Sequence, residues 1–465
     1  MSPPLEIVIL AAGQGKRMHS RLPKVLHAVG GRPLLAHVLE CARALAPSAI
    51  HVVYGHGGEA LRAAFAGADV RWAQQAQQLG TGHALMQAMP EVPDEALVLV
   101  LYGDVPLIGA DTLRALIEAA GTDRLALLSA ELADPTGYGR ILRDAAGRVA
   151  RIVEQKDATA AEAAVREVNT GFLAAPALRL RGWLRKLGNA NSQGEYYLTD
   201  IIATAVQEGV AVETRAPRDV WEILGVNSKQ ELARLERIFQ TNQAERLMRE
   251  GVTLRDPARF DLRGELACGR DVVIDVNVVI EGKVTLGDGV AIGPNNVIRD
   301  TAIEAGTQVL PNCVIEEAEI GRNCRIGPFA RLRPGARISD GAHIGNFVEV
   351  KNSEIGAGAK VNHLSYVGDS QVGRNVNIGA GTITCNYDGA NKHQTVIGDN
   401  AFIGSNTALV APVTVGDGAT IGAGSVIVKD APAGELTLGR AEQKTVKGWK
   451  RPAKAEKREK RKEKN

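Results

Sequence analysis

Paired cysteines, a long apolar run and a complete dinucleotide fingerprint are all missing from this 465-residue sequence, and each absence excludes a class of protein. The five cysteines, Cys41, Cys268, Cys313, Cys324 and Cys385, have no C-x-x-C spacing among them. That excludes a disulfide framework and a zinc cluster and fits a reducing compartment. The apolar stretch at residues 7–12 is too short for a signal-peptide core or a membrane span, and no basic cluster precedes it. A cytoplasmic protein with no membrane partner is expected. The formal net charge of +2 conceals a basic end, because residues 447–465 hold ten Lys or Arg against three Glu. Mixed signs without apolar periodicity predict a solvated, disordered tail there rather than a specific nucleic-acid arm.

With 45% hydrophobic residues, the chain is long enough to bury two cores. Across residues 7–227, apolar runs at 7–12, 50–54, 96–102 and 125–132 alternate with helical patterns, one of them opened by Pro33 and running to about residue 45. This β-α-β rhythm predicts a doubly wound, Rossmann-like α/β domain. In residues 228–250, Ser228 and Glu231 have capping-box spacing, and Leu232, Leu235 and Phe239 follow at helical intervals. A long linker helix is predicted.

From residue 251 the texture turns to glycine and valine, and a repeat takes over. Aliphatic residues run from Ile274 through Ile280, Leu286 and Ile292 to Ile378 in 18 steps, 14 of six residues and four of five, and the phase resumes from Ile397 to Ile427. A small residue or valine commonly stands two places earlier, as at Ala336, Ala342, Ala359, Ala401 and Ala419. In extended chain, residues i−2 and i share a face, so each hexad points one small and one large side chain inward and then turns. Three hexads close a triangular coil, whereas a sandwich of short strands does not hold an 18-residue phase over such a length. Residues 251–446 are therefore predicted to form a parallel β-helix. Cys313 and Cys324 occupy the small inward position and read as core.

Chemistry-bearing residues gather in both parts. The first strand runs into Gly13-Gln14-Gly15-Lys16-Arg17-Met18, with Pro23-Lys24 shortly after. A glycine-rich turn lets backbone N–H groups approach phosphate oxygens, and Arg17 and Lys24 supply cations. The third glycine of G-x-G-x-x-G is missing, which disfavours an NAD site. Asp104 ends a strong apolar strand at the sheet edge where open α/β folds bind ligands; a helix N-cap is the structural alternative. In the repeat, Arg333 and Lys351 are one coil apart, about 4.8 Å, and repel unless an anion lies between them. Asn346, His363 and Ala380 share a corner, which makes His363 an outward titratable group near Tyr366. The repeat breaks at CNYDGANKHQTV, a loop that must leave the prism.

The stretch LAAGQGKRM followed by PK closely resembles the sugar-nucleotide pyrophosphorylases, whose signature is LAAG-x-G-T-R-M with a lysine downstream; Lys16 stands where that family has threonine. QQAQQLGTGHA, LYGDVPL, PTGYGR, VEQKDA, VNTG and GVN extend the resemblance over residues 7–227. It implies a nucleotide and sugar site formed by Leu10, Ala11, Ala12, Gly13, Lys24, Gln75, Gly80, Thr81, Tyr102, Gly103, Asp104, Gly139, Glu154, Asn169 and Asn227. Asp104 and Asn227 would ligate Mg²⁺. Arg17 and Lys24 would act catalytically, offsetting charge as a sugar-1-phosphate oxygen attacks the α-phosphorus of UTP and pyrophosphate leaves.

The hexapeptide pattern resembles the left-handed parallel β-helix of acyl- and acetyltransferases. RDPARFDLRG, GPFARLRPGA, GNFVEVK, NIGAGTITCNYDGANKH and VAPVTVG narrow the two resemblances, over about 440 residues, to one bacterial family. That family joins N-acetylglucosamine-1-phosphate uridylyltransferase to glucosamine-1-phosphate acetyltransferase. The resemblance implies residues 1–227 as the uridylyltransferase, 251–446 as the acetyltransferase, and a homotrimer with the acetyl site between chains. UTP, acetyl-CoA, glucosamine-1-phosphate and N-acetylglucosamine-1-phosphate would be the substrates. His363 would be the general base; Arg333, Lys351, Tyr366, Asn377 and Lys392 would hold glucosamine-1-phosphate; Ala380, Asn386, Tyr387, Ser405, Ala423 and Arg440 would contact acetyl-CoA. The alternative is a pyrophosphorylase whose β-helix is purely structural.

Overall fold

A computed structural model describes residues 3–55 and 57–454. The part of the expected disordered tail from residue 455 onward lies outside the described residues. The chain forms two compact units, Met1–Ala302 and Ile303–Asn465.

The first unit is built on a mixed sheet. Its strands are β1 (Leu5–Ala11), β2 (Ala49–Tyr54), β3 (Arg71–Gln74), β4 (Leu97–Tyr102), β5 (Leu125–Glu131), β6 (Gly139–Arg143), β7 (Val149–Val153), β8 (Glu167–Pro176) and β9 (Val212–Arg215). The order is β9-β5-β8-β4-β1-β2-β3, with the β6–β7 hairpin attached to β8. β1 pairs in parallel with β2 and β4, while β8 runs antiparallel to β4 and β5. Side chains alternate between two cores, as strand geometry requires. Val8, Leu10, Val98 and Val100 pack with Leu85, Trp183 and Ile201 on one face. Ile7, Ile9, Leu99 and Leu101 pack with Leu35, Leu39, Leu113 and Leu116 on the other. The helices covering the sheet are α1 (Leu34–Arg43), α2 (Gly58–Ala64), α3 (Thr81–Ala88), α4 (Ala110–Ala120), α5 (Ala160–Ala163), α6 (Ala177–Leu184) and α7 (Asp200–Gln207). A doubly wound sheet covered on both faces explains why its central strands read as continuous apolar runs.

The expected linker helix is α8 (Lys229–Arg249). Ser228 Oγ accepts from the Glu231 N–H at 3.2 Å, but the Glu231 carboxylate accepts from the Asn227 N–H, at 2.6 Å, so the cap fixes Asn227 instead of closing on Ser228. α8 does not stand free as a spacer. Glu236 accepts from the Gly30 N–H at 2.7 Å, and a Cβ on Gly30, which sits at φ +57°, would come within 2.2 Å of the Phe239 ring. Gln240 exchanges two hydrogen bonds, 2.9 and 2.7 Å, with the backbone of Leu262, in strand β10 (Phe260–Cys268) of the first coils. That stitching is why the chain through Ala302 clusters with the α/β part.

The second unit continues the hexad repeat as short parallel strands. Ile326 pairs with Ile344 and Ile344 with Val361, offsets of 18 and 17 residues; across the ejected loop Ile378 pairs with Ile403, an offset of 25. The inward positions are buried, including Ala336, Ala342 and Ala359 in the small slot, as are Cys313 and Cys324. This is the β-helix that the repeat predicts. No helix among the described residues is long and apolar enough to cross a membrane.

Candidate active sites

In the first unit, the carboxyl ends of β1 and β4 and the turn after β1 open onto a cavity of about 570 Å³. Leu10, Ala11, Ala12, Gly13, Lys24, Gln75, Gly80, Thr81, Tyr102 and Asp104 line it, and so do Gln14, Lys16, Gln78 and Glu195. The Lys24 ammonium bonds to Asp104 Oδ2 and lies 3.1 Å from Asn227 Oδ1, so a residue from after β1, one from after β4 and one from the start of α8 meet at one point. Both oxygens already hold a cation. Gly103 lies against Ala11, Val25 and Leu35, where a Cβ would come within 3.1 Å of Ala11 Cβ. Arg17 is exposed on a one-turn helix (Lys16–Met18) and is absent from the cavity wall, which Lys16 lines instead.

Gly139, Glu154 and Asn169 form a neighbouring group. Gly139 is the register partner of Asn169 across β6 and β8, and a Cβ on Gly139 would lie 3.5 Å from each Glu154 carboxylate oxygen. The missing side chain leaves the space over Glu154 open. Glu154 accepts from the Thr199 hydroxyl at 2.9 Å; burial, and then the charges of Asp200, Asp157 and Glu195, raise its pKa above the usual carboxylate value. Tyr102 bridges the two groups. Burial, followed by the charges of Glu154 and Asp104, pushes its phenol pKa well up, so it stays a neutral donor.

In the second unit, backbone hydrogen bonds stack Asn346, His363, Ala380, Ser405 and Ala423 into one corner column, where Leu364 N–H donates to Asn346, Gly381 to His363, Asn406 to Ala380 and Gly424 to Ser405. His363 is exposed, and its Nδ1 lies 2.9 Å from Asn346 Oδ1. A carbonyl oxygen only accepts, so Nδ1 carries the proton and Nε2 keeps a free lone pair. Arg440 Nη1 donates to the Ala423 carbonyl at 2.7 Å.

Arg333 N–H donates to the Val350 carbonyl, which sets Arg333 beside Lys351. Contact with Lys392, then its charge, lowers the Lys351 pKa, and Arg333 adds to the effect. Three cations thus crowd together; Glu349, 2.8 Å from Arg333, and Asp369, whose charge acts on Lys351 in the opposite sense, offset part of their repulsion. Lys392 comes from the ejected loop, whose base is bridged by Tyr387 and Lys392 and held by Asp388 to His393 at 2.7 Å. Asn386, on the same loop, is buried and bonds to Asp369 at 2.5 Å and to the Tyr366 hydroxyl at 3.4 Å. Asn377 pairs in register with Lys360.

Sequence reasoning overlooked Gln14, Gln78 and Glu195 on the cavity wall and Asn346 behind His363. Gln78 stands in the QQAQQ run already marked by its motif, and Gln14 bonds to it at 2.7 Å. Counting hexads places Asn346 on this corner, but its hydrogen bond carries no sequence signature.

The family model of the MobA-like NTP transferase domain matches residues 7–186, and that of the bacterial transferase hexapeptide (six repeats) matches 317–352 and 394–429. Bifunctional protein GlmU of Azoarcus sp. (strain BH72) is 64% identical over 450 residues, covering 97% of this chain and all of that protein. The same-named proteins of Aromatoleum aromaticum and Ralstonia pickettii are 62% and 61% identical over 97% of this chain and 99% and 100% of theirs. Such identity over both units, with the nucleotidyltransferase fold in one and the hexapeptide β-helix in the other, means that the chain belongs to the bifunctional GlmU family, enzymes that carry a uridylyltransferase and an acetyltransferase on one polypeptide.

Proposed function

We propose that the two activities divide along the chain as residues 1–227 and 251–446, joined by α8, and that the residues gathered above carry them. Glucosamine-1-phosphate is acetylated from acetyl-CoA, and UTP then uridylylates N-acetylglucosamine-1-phosphate with release of pyrophosphate. The observation that carries the first site is the convergence of Lys24, Asp104 and Asn227. A carboxylate and an amide oxygen that already share a cation form a hard-oxygen pair suited to Mg²⁺. When bound, Mg²⁺ would offset phosphate charge. In the reaction, a sugar-phosphate oxygen forms a bond to the α-phosphorus as the bond to pyrophosphate breaks. Lys24 offsets charge on the phosphates, the Gly13–Gly15 turn supplies N–H donors, and Glu154, Gly139 and Asn169 hold the sugar.

In the second site, the sugar amine attacks the thioester carbonyl, Nε2 of His363 takes the amine proton, and the thiolate of coenzyme A leaves. The Arg333, Lys351 and Lys392 cluster holds the sugar phosphate, and the column from Ala380 to Ala423 with Asn386, Tyr387 and Arg440 receives acetyl-CoA. The cluster argues against a purely structural β-helix, which has no use for three crowded cations. Lys351→Ala is expected to raise the KM for glucosamine-1-phosphate by about 10-fold or more, as loss of a charge-assisted contact does. Because its neighbours lower the pKa of Lys351, its charge is lost at lower pH than an ordinary lysine's, and acetyl-transfer kcat/KM falls correspondingly early on the alkaline side. Lys392→Met removes the largest cause and should move that limb to higher pH while weakening binding; an unmoved limb in the pH profile excludes this assignment.

We further propose a homotrimer in the cytoplasm, where the five free thiols stay reduced. Phe329, Phe347 and Leu364 stand at left-handed corners, φ +55°, +57° and +50°, where most other non-glycine corners are Asn or Asp. They remain 49%, 55% and 62% exposed, and the two rings stack with centroids 5.2 Å apart. Bulky apolar residues are unfavourable there and gain by being covered by another copy. Phe347 and Leu364 directly follow Asn346 and His363, so that copy would adjoin the acetyl site. Phe347→Asp is expected to lower the solution mass from trimer to monomer and to abolish acetyl transfer while uridylyl transfer persists. A monomeric variant that still acetylates would refute the shared site.

A further inference from the structure

Arg140 is among the largest fully buried side chains of the described residues, 1% exposed, and no carboxylate there hydrogen-bonds to it, although the exposed Asp134 feels its charge. Burying a guanidinium is costly even with a counter-ion, and here every hydrogen bond it makes goes to a neutral oxygen, with Asp134 opposing its charge only from outside hydrogen-bond reach. Nε reaches the Ala163 carbonyl at the end of α5 at 3.3 Å, Nη1 the Tyr138 carbonyl, and Nη2 the Gln155 Oε1 at 2.6 Å. The same Gln155 oxygen accepts from the Gly137 N–H at 3.3 Å. The acceptors are placed meaningfully. Tyr138 precedes Gly139, and Gln155 follows Glu154, so the guanidinium and the Gln155 amide tie the turn before β6 to the end of β7. Register puts Arg140 opposite both Val153 and Val168, one residue from Glu154 and from Asn169 respectively. The gap between the Gly139 backbone and the Glu154 carboxylate, kept open because residue 139 has no Cβ, is therefore spanned from behind by this one side chain.

We infer that Arg140 is a positioning residue for the sugar half of the uridylyltransferase site, fixing the spacing between Gly139 and Glu154 and so the affinity for the N-acetylated sugar phosphate rather than the rate of phosphoryl transfer. This rests on reading Gly139 and Glu154 as sugar contacts. A planar fork with several fixed donors can bridge acceptors on three segments at once; a lysine ammonium, a single point on a flexible stem, cannot hold the same three in register. Without the fork the turn and the strand end relax independently, and a sub-ångström change in the gap weakens the pair of contacts made across it.

The test is steady-state kinetics of the full-length enzyme carrying Arg140→Lys, with Gln155→Leu as a second, partly exposed probe of the same bridge and Glu154→Gln as the control for the sugar contact. Arg140→Lys is expected to raise the KM for N-acetylglucosamine-1-phosphate by about 10- to 100-fold. The KM for UTP and the kcat should stay within a few-fold, and acetyl transfer, made by the other unit, should be unchanged. Gln155→Leu should move the same KM in the same direction by less, and the double variant should raise it by less than the product of the two. If Arg140→Lys does not fold, as judged by melting and far-ultraviolet circular dichroism, Gln155→Leu decides on the same readout. Where Glu154→Gln raises the sugar KM but the bridge variants leave it unchanged, or alter kcat and both KM values together, the inference is overturned and Arg140 is merely structural. An unchanged sugar KM in Glu154→Gln overturns the sugar-site reading itself.

Discussion

Replacing His363 with alanine is expected to lower the acetyl-transfer kcat by about 10²- to 10⁴-fold, the usual contribution of general-base catalysis. The geometry argues for a loss in rate rather than binding. His363 is held by Asn346, whereas the phosphate is assigned to Arg333, Lys351 and Lys392, which gather beside one another. The KM for glucosamine-1-phosphate should therefore change little. Because Asn346 fixes the Nδ1–H tautomer, Asn346→Ala should give a smaller loss of kcat in the same direction, since the ring can then turn or exchange its proton between nitrogens. His363 is exposed, so its removal opens no cavity and should leave melting almost unchanged. Turnover near that of the parent enzyme in a folded His363→Ala would mean another group takes the proton.

Asp104→Ala is expected to lower uridylyl transfer by about 10³-fold, comparable to losing a principal electrostatic stabiliser, while acetyl transfer survives in the other compact unit. Two effects combine. The oxygen pair offered to a divalent ion is reduced to Asn227 alone, and Lys24, only 12% exposed, loses its carboxylate partner and must find another or be desolvated without one. Asp104→Asn separates them, because it keeps an oxygen in place while removing the charge. If charge dominates, both variants fall alike, and titration with Mn²⁺ followed by its electron paramagnetic resonance should show weakened binding in both. Parallel loss of acetyl transfer in folded Asp104→Ala would count against independent sites.

Both halves of the fold are legible in the sequence because each is periodic. A strand buried on both faces must be apolar along its length, and a three-sided coil must repeat one large and one small inward residue every six positions, so the chain carries both patterns openly in residues 7–12, 96–102 and 274–427. The division into units was less legible. Composition changes near residue 251, yet α8 is stitched to Gly30 on one side and to Leu262 on the other, and the compact boundary falls after Ala302. A change in composition marks where the secondary structure changes, not where the packing ends.

The architecture, the glycine-rich turn, the position of Asp104 at a strand end and the corner shared by Asn346, His363 and Ala380 are all readable from the order of residues, since they follow from local periodicity and chain direction. It takes the packed fold to show that Lys24 meets Asp104 and Asn227, that Lys16 rather than Arg17 lines the cavity, that Lys392 returns from its loop to crowd Lys351, that Glu231 secures Asn227 instead of completing its own cap, and that Arg140 is buried behind the gap between Gly139 and Glu154. Most of these contacts join residues far apart in the chain, up to 203 positions for Lys24 and Asn227, and the local ones turn on which donor an oxygen selects. Such pairings have no period and no compositional trace, because a hydrogen bond or ion pair depends on where two side chains end in space, which folding fixes only after the periodic elements have packed.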